Sequence, residues 1–461
     1  MNTSTEIKAN DTLDEITPHI VTFGTEAYVS DEYARAEPEL LWRKTWQVAC
    51  RLEEIPTVGD YVVYDIVDDT ILIVRSEPDK ISAFHNVCAH RGKRLANGHG
   101  HVLHFRCSYH AWRYNLKGEN TFVLDKPDWC GRLNKERLNL PAVKVDTWGG
   151  FVWINMNPAC EPLAQYLKPL AELLDPFEFA KMRYRWRLWT HFDCNWKVAL
   201  EAFLEAYHVE GTHPQLISYA DFYTWSQADG IHGHKGFRER KPELNTLESN
   251  TYFRPGKGAD VRSSIAKMQK QIYETTNAST TQTMVDAAAR LVTELPEGAS
   301  ASEVTAHWLQ SAKRDDAARG VIWPSISSEH LAKCGNSAHF FPNFTTAYGF
   351  TFALCYRARP DGVDPNKCIF EAFVIERFPD GQEPATEWVH ADAKTARDKW
   401  PPVLLQDFDN MSNVQKGMRS GYFRGNLPNP LQEVMVSNLH HNLARFMHRG
   451  DVIPLEPFNA E

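Results

Sequence analysis

Two short clusters of metal-binding side chains constrain this chain more than any other feature of its sequence. Cys88 and His90 lie in CAHRG, and Cys107 and His110 lie in CSYHAWRYNLKG, with residues 91 to 106 between the clusters. Two thiolates and two imidazoles suit either a tetrahedral zinc ion or a [2Fe–2S] cluster with cysteines on one iron and histidines on the other. The chain therefore has to fold so that these two loops meet at one metal site.

The residues beside these ligands favour iron over zinc. Gly92 leaves room for close approach of the backbone. Arg91, Tyr109 and Trp112 would surround the site with bulky side chains. A dry shell that contains N–H donors is what tunes a redox centre, so we expect an iron–sulfur cluster here.

Composition excludes several classes of function. The 461 residues are 43% hydrophobic, which suits a globular protein of two or three domains. The formal charge of −9 gives no electrostatic reason to expect nucleic acid or an anionic membrane as a partner. No window approaches the roughly 18 apolar residues of a membrane span, and the polar start lacks the plan of a signal peptide, so we expect a cytoplasmic protein. Seven of the nine cysteines have no paired spacing, and we expect them to be reduced core thiols.

Secondary-structure patterns divide the chain into two parts. From about Val48 to Asn157, alternating runs such as YVVYDIV, TILIVR and WGGFVWIN predict a small β domain around the metal loops. Farther along, RYRWRLWTHFDCNW, HFFPNFTTAYGFTFALCYRARP and CIFEAFVIERFP predict an antiparallel sheet. NWKVALEAFLEAYHVEG and a last helix from about Pro402 to Gly417 would pack on it, which makes the second domain α+β. The polar, charged and helix-prone residues from about 226 to 335 are interpreted as an insertion with long loops.

A second set of metal-binding residues lies in EAFLEAYHVEGTH. On an α-helix Glu205 and His208 share a face, but His213 lies about 140° further around a regular helix. Gly211 and Pro214 favour a break between the two histidines, which would let the imidazoles converge. Two histidines and a carboxylate with open positions opposite form the non-haem Fe(II) centres that activate O2. Taken alone, however, the pair also fits two unrelated surface or core histidines.

Together the motifs resemble Rieske non-haem iron ring-hydroxylating oxygenases, specifically their large (α) subunits. The resemblance covers residues 42 to 157 and, by motif, EAFLEAYHVEGTH and LLQDFDNMSNVQKG, but not the insertion. It implies an α+β protein with an all-β Rieske [2Fe–2S] domain and a helix-grip (START-like) catalytic domain that contains a twisted antiparallel sheet. The expected domains are an N-terminal helical segment, 1–46, that packs on the catalytic domain, the Rieske domain, 47–157, and the catalytic domain, 158–461.

The resemblance also implies the ligands of both metal centres. The [2Fe–2S] cluster would be held by the four residues of the first two motifs, and His208 and His213 would hold a mononuclear Fe(II). The third ligand of that iron would be Asp407, because the family carries an Asp about two helical turns before Gln-x-Gly, here at Gln415. Asp409 is the alternative, two positions away on the opposite side of the helix.

Within this family the cluster of one chain lies beside the mononuclear iron of the next, in a head-to-tail trimer. The resemblance implies that Glu205 bridges His208 to His110 of a neighbouring chain. Ala202 stands where many members carry Asn, and Glu205 where ring dihydroxylases carry Asp, which puts the reaction outcome in doubt. Whether a small β subunit joins the homotrimer, as α3β3, stays open.

The chain contains no GxGxxG after a strand, so a separate ferredoxin or flavin reductase would have to deliver electrons from NAD(P)H. The first expectation is cis-dihydroxylation of an aromatic or hydrophobic small molecule with O2. A Rieske monooxygenase or demethylase, for instance of a quaternary amine, is the alternative that Glu205 and Ala202 favour. A non-catalytic Rieske electron carrier and a zinc-stabilised binding module also remain. The candidate substrate-pocket residues are Leu200, Phe203, Phe341, Phe344 and Tyr348.

Overall fold

The computed structural model describes residues 19–216, 223–238 and 260–456. The chain forms two compact units, a smaller one of Arg35–Tyr166 with Asp361–Val363 and a larger one made of the remaining chain. Within the described residues, no helix combines the length and the apolar character that a membrane span requires.

The smaller unit is built from two antiparallel sheets. Its seven-stranded sheet contains, in spatial order, Gln47–Arg51, Phe151–Asn155, Ala142–Trp148, Lys80–His85, Asp69–Glu77, Asp60–Ile66 and His99–His101. Its three-stranded sheet contains Phe105–Arg106, Arg113–Tyr114 and Asn120–Phe122. Short helical segments lie at Pro38–Trp42, Leu52–Glu54, Lys126–Trp129, Lys135–Leu138 and Leu163–Tyr166. The predicted β domain around the metal loops is therefore present.

One apolar core of the smaller unit contains the two cysteines of the predicted cluster. Cys88 and Cys107 are buried among Phe105, Trp112 and Tyr114. A thiolate ligand set inside a close-packed apolar core is shielded from water, as a redox cluster requires.

The larger unit is organised around an eight-stranded sheet. Its strands, in spatial order, are Thr224–Asp229, His232–Phe237, Ser337–Phe340, Phe344–Tyr348, Phe352–Pro360, Cys368–Glu376, Arg183–Phe192 and Val389–His390. Only the short Val389–His390 runs parallel to its neighbour among these described strands. A two-stranded ribbon pairs Val21–Thr22 with Ile453–Pro454. With helices packed beside an antiparallel sheet, the predicted α+β class is confirmed.

Helices of the larger unit extend beyond the predicted set. They are Glu26–Val29, Asp31–Glu37 at the border of the smaller unit, Leu170–Leu174, Trp196–Glu201, Val209–Thr212, Val261–Thr276, Gln282–Glu294, Ala301–Ala318, Ser328–Cys334, Pro402–Met418 and Val434–Met447, with single 3-10 turns at Asp175–Phe177, Phe179–Lys181 and Arg397–Lys399. Pro402–Met418 was predicted as the last helix, but Val434–Met447 follows it. The missed helix buries Leu439 and Leu443, and this four-residue spacing of apolar residues was a readable helix signal.

The expectation of long loops from 226 to 335 is wrong for its described part. The first residues belong to the sheet strands Thr224–Asp229 and His232–Phe237, and residues 239–259 lie outside the described chain. Three helices, Val261–Thr276, Gln282–Glu294 and Ala301–Ala318, then pack around a shared apolar core. Their N-caps, Asp260, Thr281 and Ser300, each accept a hydrogen bond from a backbone N–H of the first turn. These caps stabilise helix starts within a polar composition that suggested loops.

The helix before the predicted iron site is also shorter than expected. Asn195 caps Trp196–Glu201, which ends at Glu201, and Glu205 lies on irregular backbone. The break therefore precedes His208 instead of separating it from His213. The short helix Val209–Thr212 connects the two histidines, with one at each end.

None of the seven cysteines outside the predicted cluster, all of them among the described residues, forms a disulfide. Five are buried, as expected of core thiols: Cys50, Cys194, Cys334, Cys355 and Cys368. Cys130 is exposed and Cys160 is half-buried, so the core assignment does not hold for these two.

Candidate functional site

Two histidines and an aspartate converge in the larger unit. One ligand atom from each of His208, His213 and Asp407 lies within 4.8 Å of the others. Oδ1 of Asp407 is 3.0 Å from Nε2 of His213 and 3.4 Å from Nε2 of His208. The ends of Val209–Thr212 supply the histidines and Pro402–Met418 supplies the aspartate. The chain thus brings two imidazoles and a carboxylate to one point.

Hydrogen bonds to the far ring nitrogens orient both imidazoles. Nδ1 of His208 lies 2.6 Å from Oε1 of Glu205, and Nδ1 of His213 lies 2.8 Å from Oε1 of Gln406. Because both oxygens accept, each Nδ1 donates, which leaves Nε2 of both rings facing the Asp407 carboxylate. Positive charge is needed between these rings and the carboxylate, either as protons on Nε2 or as a bound metal ion.

The burial of these residues makes positive charge between them more necessary. Asp407 and His213 are almost fully buried, and His208 is largely so. Burial opposes a charged imidazole, but the carboxylates of Glu205 and Asp407 outweigh it and raise the pKa of His208 to about 10. Burial likewise opposes the charged form of Asp407, yet hydrogen bonds from the two histidines lower the pKa of that carboxyl. Two histidines and one carboxylate with an open side fit a mononuclear Fe(II).

The structure separates the two candidate aspartates. Asp407 faces the histidines, whereas the carboxylate of Asp409 is 61% exposed and pairs with Arg397. Gln406 was missed by the sequence interpretation although it precedes Asp407. The available signal was chemical, since a metal-binding histidine needs an acceptor for its other ring nitrogen.

A cavity of about 290 Å³ opens beside these residues. Of the five predicted substrate residues, Phe203 and Tyr348 line it. Leu200, Phe341 and Phe344 do not, because they are fully buried in the core. Aromatic side chains fill interiors by default, so their residue type alone could not separate the cavity wall from the core.

A second cavity of about 500 Å³ shares some of these residues. Glu205, His208 and Asp407 line both cavities. The second one is also lined by Glu201 and Glu433, and burial raises the pKa of Glu433 to about 7. His208 therefore lines both a cavity with aromatic walls and a second, more acidic cavity.

In the smaller unit, the predicted cluster ligands lie on two similar turns. The N–H of Gly92 donates to the Cys88 carbonyl, and the N–H of Ala111 donates to the Cys107 carbonyl, both at 2.9 Å. Gly92 and Ala111 adopt positive φ angles of 71° and 60°. The positive φ of Gly92 would strain any other residue, so the turn favours glycine, while the expected close approach of its backbone to a cluster stays a prediction.

The donor atoms of the smaller unit fit an iron–sulfur cluster. The rings of His90 and His110 meet edge to face at 4.5 Å, and Nδ1 of each is buried without a hydrogen-bond partner. Buried polar atoms without partners are rare in proteins, and coordination of iron would satisfy both. Burial raises the pKa of the Cys88 thiol, as does the nearby thiol of Cys107. Thiols facing two unpartnered imidazole nitrogens match the Cys2His2 set of a Rieske cluster.

Aromatic residues surround these ligands. Trp112 stacks on His90 at 4.8 Å, and the Tyr109 ring lies 3.8 Å from that of His110, which agrees with the expected bulky wall. Trp129, 6.0 Å from His90, was not predicted. Trp129 lies outside both ligand motifs, so no local pattern linked it to the cluster.

Tyr114 is a further residue that the sequence interpretation missed. Its hydroxyl accepts from the N–H of Ala89 at 3.0 Å and lies 3.2 Å from Sγ of Cys88. The hydroxyl can therefore donate to the sulfur, an interaction that tunes the potential of iron–sulfur clusters.

Models of two known protein families match the chain. Residues 177–449 match the model of the ring hydroxylating alpha subunit (catalytic domain). Residues 45–126 match the Rieske [2Fe–2S] domain.

Curated relatives cover only part of the chain. The carnitine monooxygenase oxygenase subunit of Acinetobacter pittii (strain PHEA-2) is 30% identical over 196 residues, 42% of this chain and 53% of the relative. The glycine betaine monooxygenase oxygenase subunit of Pseudomonas aeruginosa (strain UCBPP-PA14) is 25% identical over 214 residues, 46% of this chain and 49% of the relative. The matches thus span about half the length of these relatives.

Solved structures share the fold over nearly the whole chain. A quaternary ammonium Rieske monooxygenase in complex with L-carnitine superposes with a TM-score of 0.62 at 18% identity, covering 93% of this chain and 97% of the other. Naphthalene 1,2-dioxygenase with bound indole superposes with a TM-score of 0.60 at 16% identity, covering 93% and 92%. At such identities the superpositions establish the fold alone.

Proposed function

Because the chain belongs to the ring-hydroxylating α subunits of the Rieske non-haem iron oxygenases, we propose that it is the oxygenase component of a system that monooxygenates a quaternary amine. The family's cofactors are a Rieske [2Fe–2S] cluster and a mononuclear iron. We assign the cluster to the Cys88, His90, Cys107 and His110 set and the mononuclear iron to His208, His213 and Asp407.

The names of the curated relatives favour this substrate class over the first expectation, cis-dihydroxylation of an aromatic ring. Both relatives described above are oxygenase subunits of amine monooxygenases. The naphthalene dioxygenase is related by fold alone and carries no argument about substrate. Aromatic compound catabolism is therefore not part of the proposal.

The observation that carries the proposal is the aromatic wall beside the proposed iron ligands. Phe203 stacks on Tyr356 at 3.9 Å, and both rings line the cavity that His208 and Asp407 also line. Ring faces attract a quaternary ammonium group, which cannot form hydrogen bonds through its own methyl groups. A methyl group of such a substrate could then point towards the iron ligands.

The proposed reaction consumes O2, two electrons and two protons, inserts one oxygen atom into a C–H bond next to nitrogen and forms one water. Bound iron supplies the O2 chemistry. The protein's own residues orient the substrate and exclude water. Glu205 fixes the His208 ring through Nδ1. Hydroxylation of an N-methyl group would give a carbinolamine that releases formaldehyde and the shortened amine.

Electron delivery requires partners, and we propose a ferredoxin or flavin reductase that oxidises NAD(P)H. We also propose a homotrimer in which a neighbouring chain's cluster approaches the iron residues at the second, acidic cavity. Glu205 supports this arrangement because it contacts His208 and lines the acidic cavity. A β subunit is not part of the proposal.

An isotope experiment with the iron-loaded holoenzyme tests the reaction. The reduced protein is given 18O2 with glycine betaine, carnitine or naphthalene in a single turnover. From an amine we expect either a hydroxylated product with one labelled oxygen or the shortened amine with one equivalent of formaldehyde, and we expect no product from naphthalene. Formaldehyde is counted and not used for the label, because its oxygen exchanges with water. Two labelled oxygens in a naphthalene diol, with no amine product, would overturn the proposal in favour of dihydroxylation. His208→Ala is the control without a complete iron site.

A further inference from the structure

Lys235 is a buried cation on the cavity wall that the proposed chemistry does not use. It lies in the sheet strand His232–Phe237, is 7% exposed and lines the cavity beside the iron ligands. Its ammonium has one hydrogen bond in the described structure, a long contact of 3.5 Å to the carbonyl of Phe203. A lysine is almost never buried without a partner for its charge.

Neighbouring carboxylates do not provide that partner. No carboxylate of the described residues lies within 4.0 Å of the Lys235 ammonium in an ion pair. Glu205 acts on it only at longer range, since its two oxygens accept from Nδ1 and the backbone N–H of His208. Burial lowers the pKa of Lys235 to about 8, so the group remains mostly charged at neutral pH.

Small side chains leave space over the sheet next to Lys235. In the strand register Lys235 pairs with Ser337, Ser337 with Ala347, and Ala347 with Leu354. Directly paired residues project from the same face of a sheet, and all four line the cavity. The short side chains of Ser337 and Ala347 therefore leave room for a ligand between the lysine and the apolar Leu354.

A second polar group on this wall also lacks a partner. Oδ1 of Asn336, which lines the cavity, is buried without a hydrogen bond in the described structure. Since Oδ1 only accepts, the amide has to be turned so that Nδ2 faces the cavity before Asn336 can donate to an anion. A buried lysine with one long hydrogen bond and a buried amide group without a partner indicate a polar ligand group beside them.

We propose that Lys235 binds an anionic group of the substrate, a carboxylate, so that the enzyme selects molecules that carry a carboxylate as well as a reactive amine. This inference rests on the proposed function for the amine but not for the carboxylate. The cavity then offers Lys235 and Asn336 to the anion and the stacked rings of Phe203 and Tyr356 to the cation. A zwitterionic quaternary amine complements both.

Calorimetric titration of the holoenzyme without O2 tests the proposal. The probes are glycine betaine, which has a carboxylate, and choline, which has a hydroxyl group in its place. We expect Lys235→Met to weaken glycine betaine binding roughly ten- to hundredfold, as for loss of a charge-assisted hydrogen bond. Choline binding should change less than about threefold, because that probe makes no charge pair with Lys235.

Two further variants exclude trivial explanations. Lys235→Arg keeps the charge and should retain most of the preference for glycine betaine. Lys270→Met makes the same exchange on an exposed helix position and should bind both probes like the wild type. Unchanged glycine betaine affinity in a folded Lys235→Met protein, judged by thermal unfolding and cluster absorbance, would overturn the proposal.

Butyrate, a carboxylate without ammonium, separates this inference from the proposed function. If the protein does not use amines, choline should not bind, and butyrate should bind at least as tightly as glycine betaine, still in a Lys235-dependent way. If wild type and Lys235→Met bind butyrate and glycine betaine alike, the carboxylate site is refuted while amine oxygenation stands. Failure of the wild type to bind any carboxylate refutes it as well.

Discussion

The two proposed metal centres of this protein are assembled in different ways. In the smaller unit, the cluster ligands come from two neighbouring turns, and aromatic rings surround them. In the larger unit, His213 and Asp407 are 194 residues apart in sequence, and a carboxylate or an amide holds each imidazole. An electron-transfer cluster can thus be built on local turns inside a neutral shell, the aromatic side chains around its ligands. A single divalent ion instead requires ligands that are distant in sequence and a carboxylate among them.

The difference is electrostatic as well as topological. His90 and His110 leave buried Nδ1 atoms without partners, and burial is the main cause that lowers the pKa of His90. The opposite holds for His208, because nearby carboxylates raise its pKa. A histidine kept neutral suits a cluster that carries its own thiolates, and a histidine beside carboxylates suits a site that needs added cationic charge.

The largest expected effect separates the two centres completely. Cys88→Ser should remove the cluster, with loss of its visible absorbance, its two irons and all oxygenation, because the cluster requires this thiolate. The mononuclear iron should stay, since its ligands lie in the other unit. Iron analysis and absorbance measure both outcomes.

Cys130→Ser is the matched control, because Cys130 is exposed in the same unit. An unchanged spectrum in the Cys88 variant would refute the cluster assignment. Loss of all iron from that variant would show that the two centres do not assemble independently.

The second effect concerns one iron. Asp407→Ala should release the mononuclear iron and abolish product formation while the cluster absorbance stays, because only neutral imidazoles then face the ion. Asp409→Ala should retain both metals and most of the activity, since Asp409 lies on the exposed side of the helix. Metal analysis of the pair decides between them, and iron loss from Asp409→Ala alone would reverse the assignment.

Predictability from sequence follows the same division. The cluster motif could be located because four ligands fall within 23 residues of sequence, 88 to 110, and their turns are local. Most sheet strands were predicted from alternating apolar and aromatic residues, but Thr224–Asp229 and His232–Phe237 were not, because they lie at the start of the segment interpreted as an insertion. The roles of Gln406 and Tyr114 could not be predicted. Tertiary contacts, which no local pattern records, bring Gln406 to the ring of His213 and Tyr114 to the sulfur of Cys88.

Helices show where local rules fail and where they were overlooked. The early end of Trp196–Glu201 could not be predicted, since the apolar spacing continues to Leu204 and Tyr207. The helices beyond residue 260 could have been predicted from their caps, for example the Ser300 and Glu303 capping box. Polar composition alone was a poor guide there.

A prediction of intermediate size concerns the proposed electron transfer from the cluster to the mononuclear iron. Glu205→Gln should keep both metals but slow oxidation of the cluster during a single turnover by roughly ten- to hundredfold, because the neutral amide holds His208 less firmly. Stopped-flow absorbance of the cluster measures the rate. Glu274→Gln, on an exposed helix position, is the control, and a wild-type rate in the Glu205 variant would remove its proposed bridging role.

The smallest effect tests the neutral shell of the cluster. Tyr114→Phe removes the hydroxyl beside Sγ of Cys88 but keeps the buried ring. A hydrogen bond to sulfur stabilises the more negative, reduced cluster, so its loss should lower the reduction potential. One hydrogen bond of about 1 kcal/mol corresponds to roughly 40 mV for a one-electron couple.

Tyr109→Phe provides the matched comparison, because that ring lies against His110 while its hydroxyl accepts from Arg91 instead of donating to a cysteine. Redox titration of both variants should therefore lower the potential for Tyr114→Phe and leave it nearly unchanged for Tyr109→Phe. Equal shifts would mean that the loss of any hydroxyl near the cluster, and not the loss of the bond to sulfur, changes the potential. The neutral shell would then act on the cluster through its general polarity, and the contrast with the carboxylate-held iron site would no longer include a specific hydrogen bond to a cluster ligand.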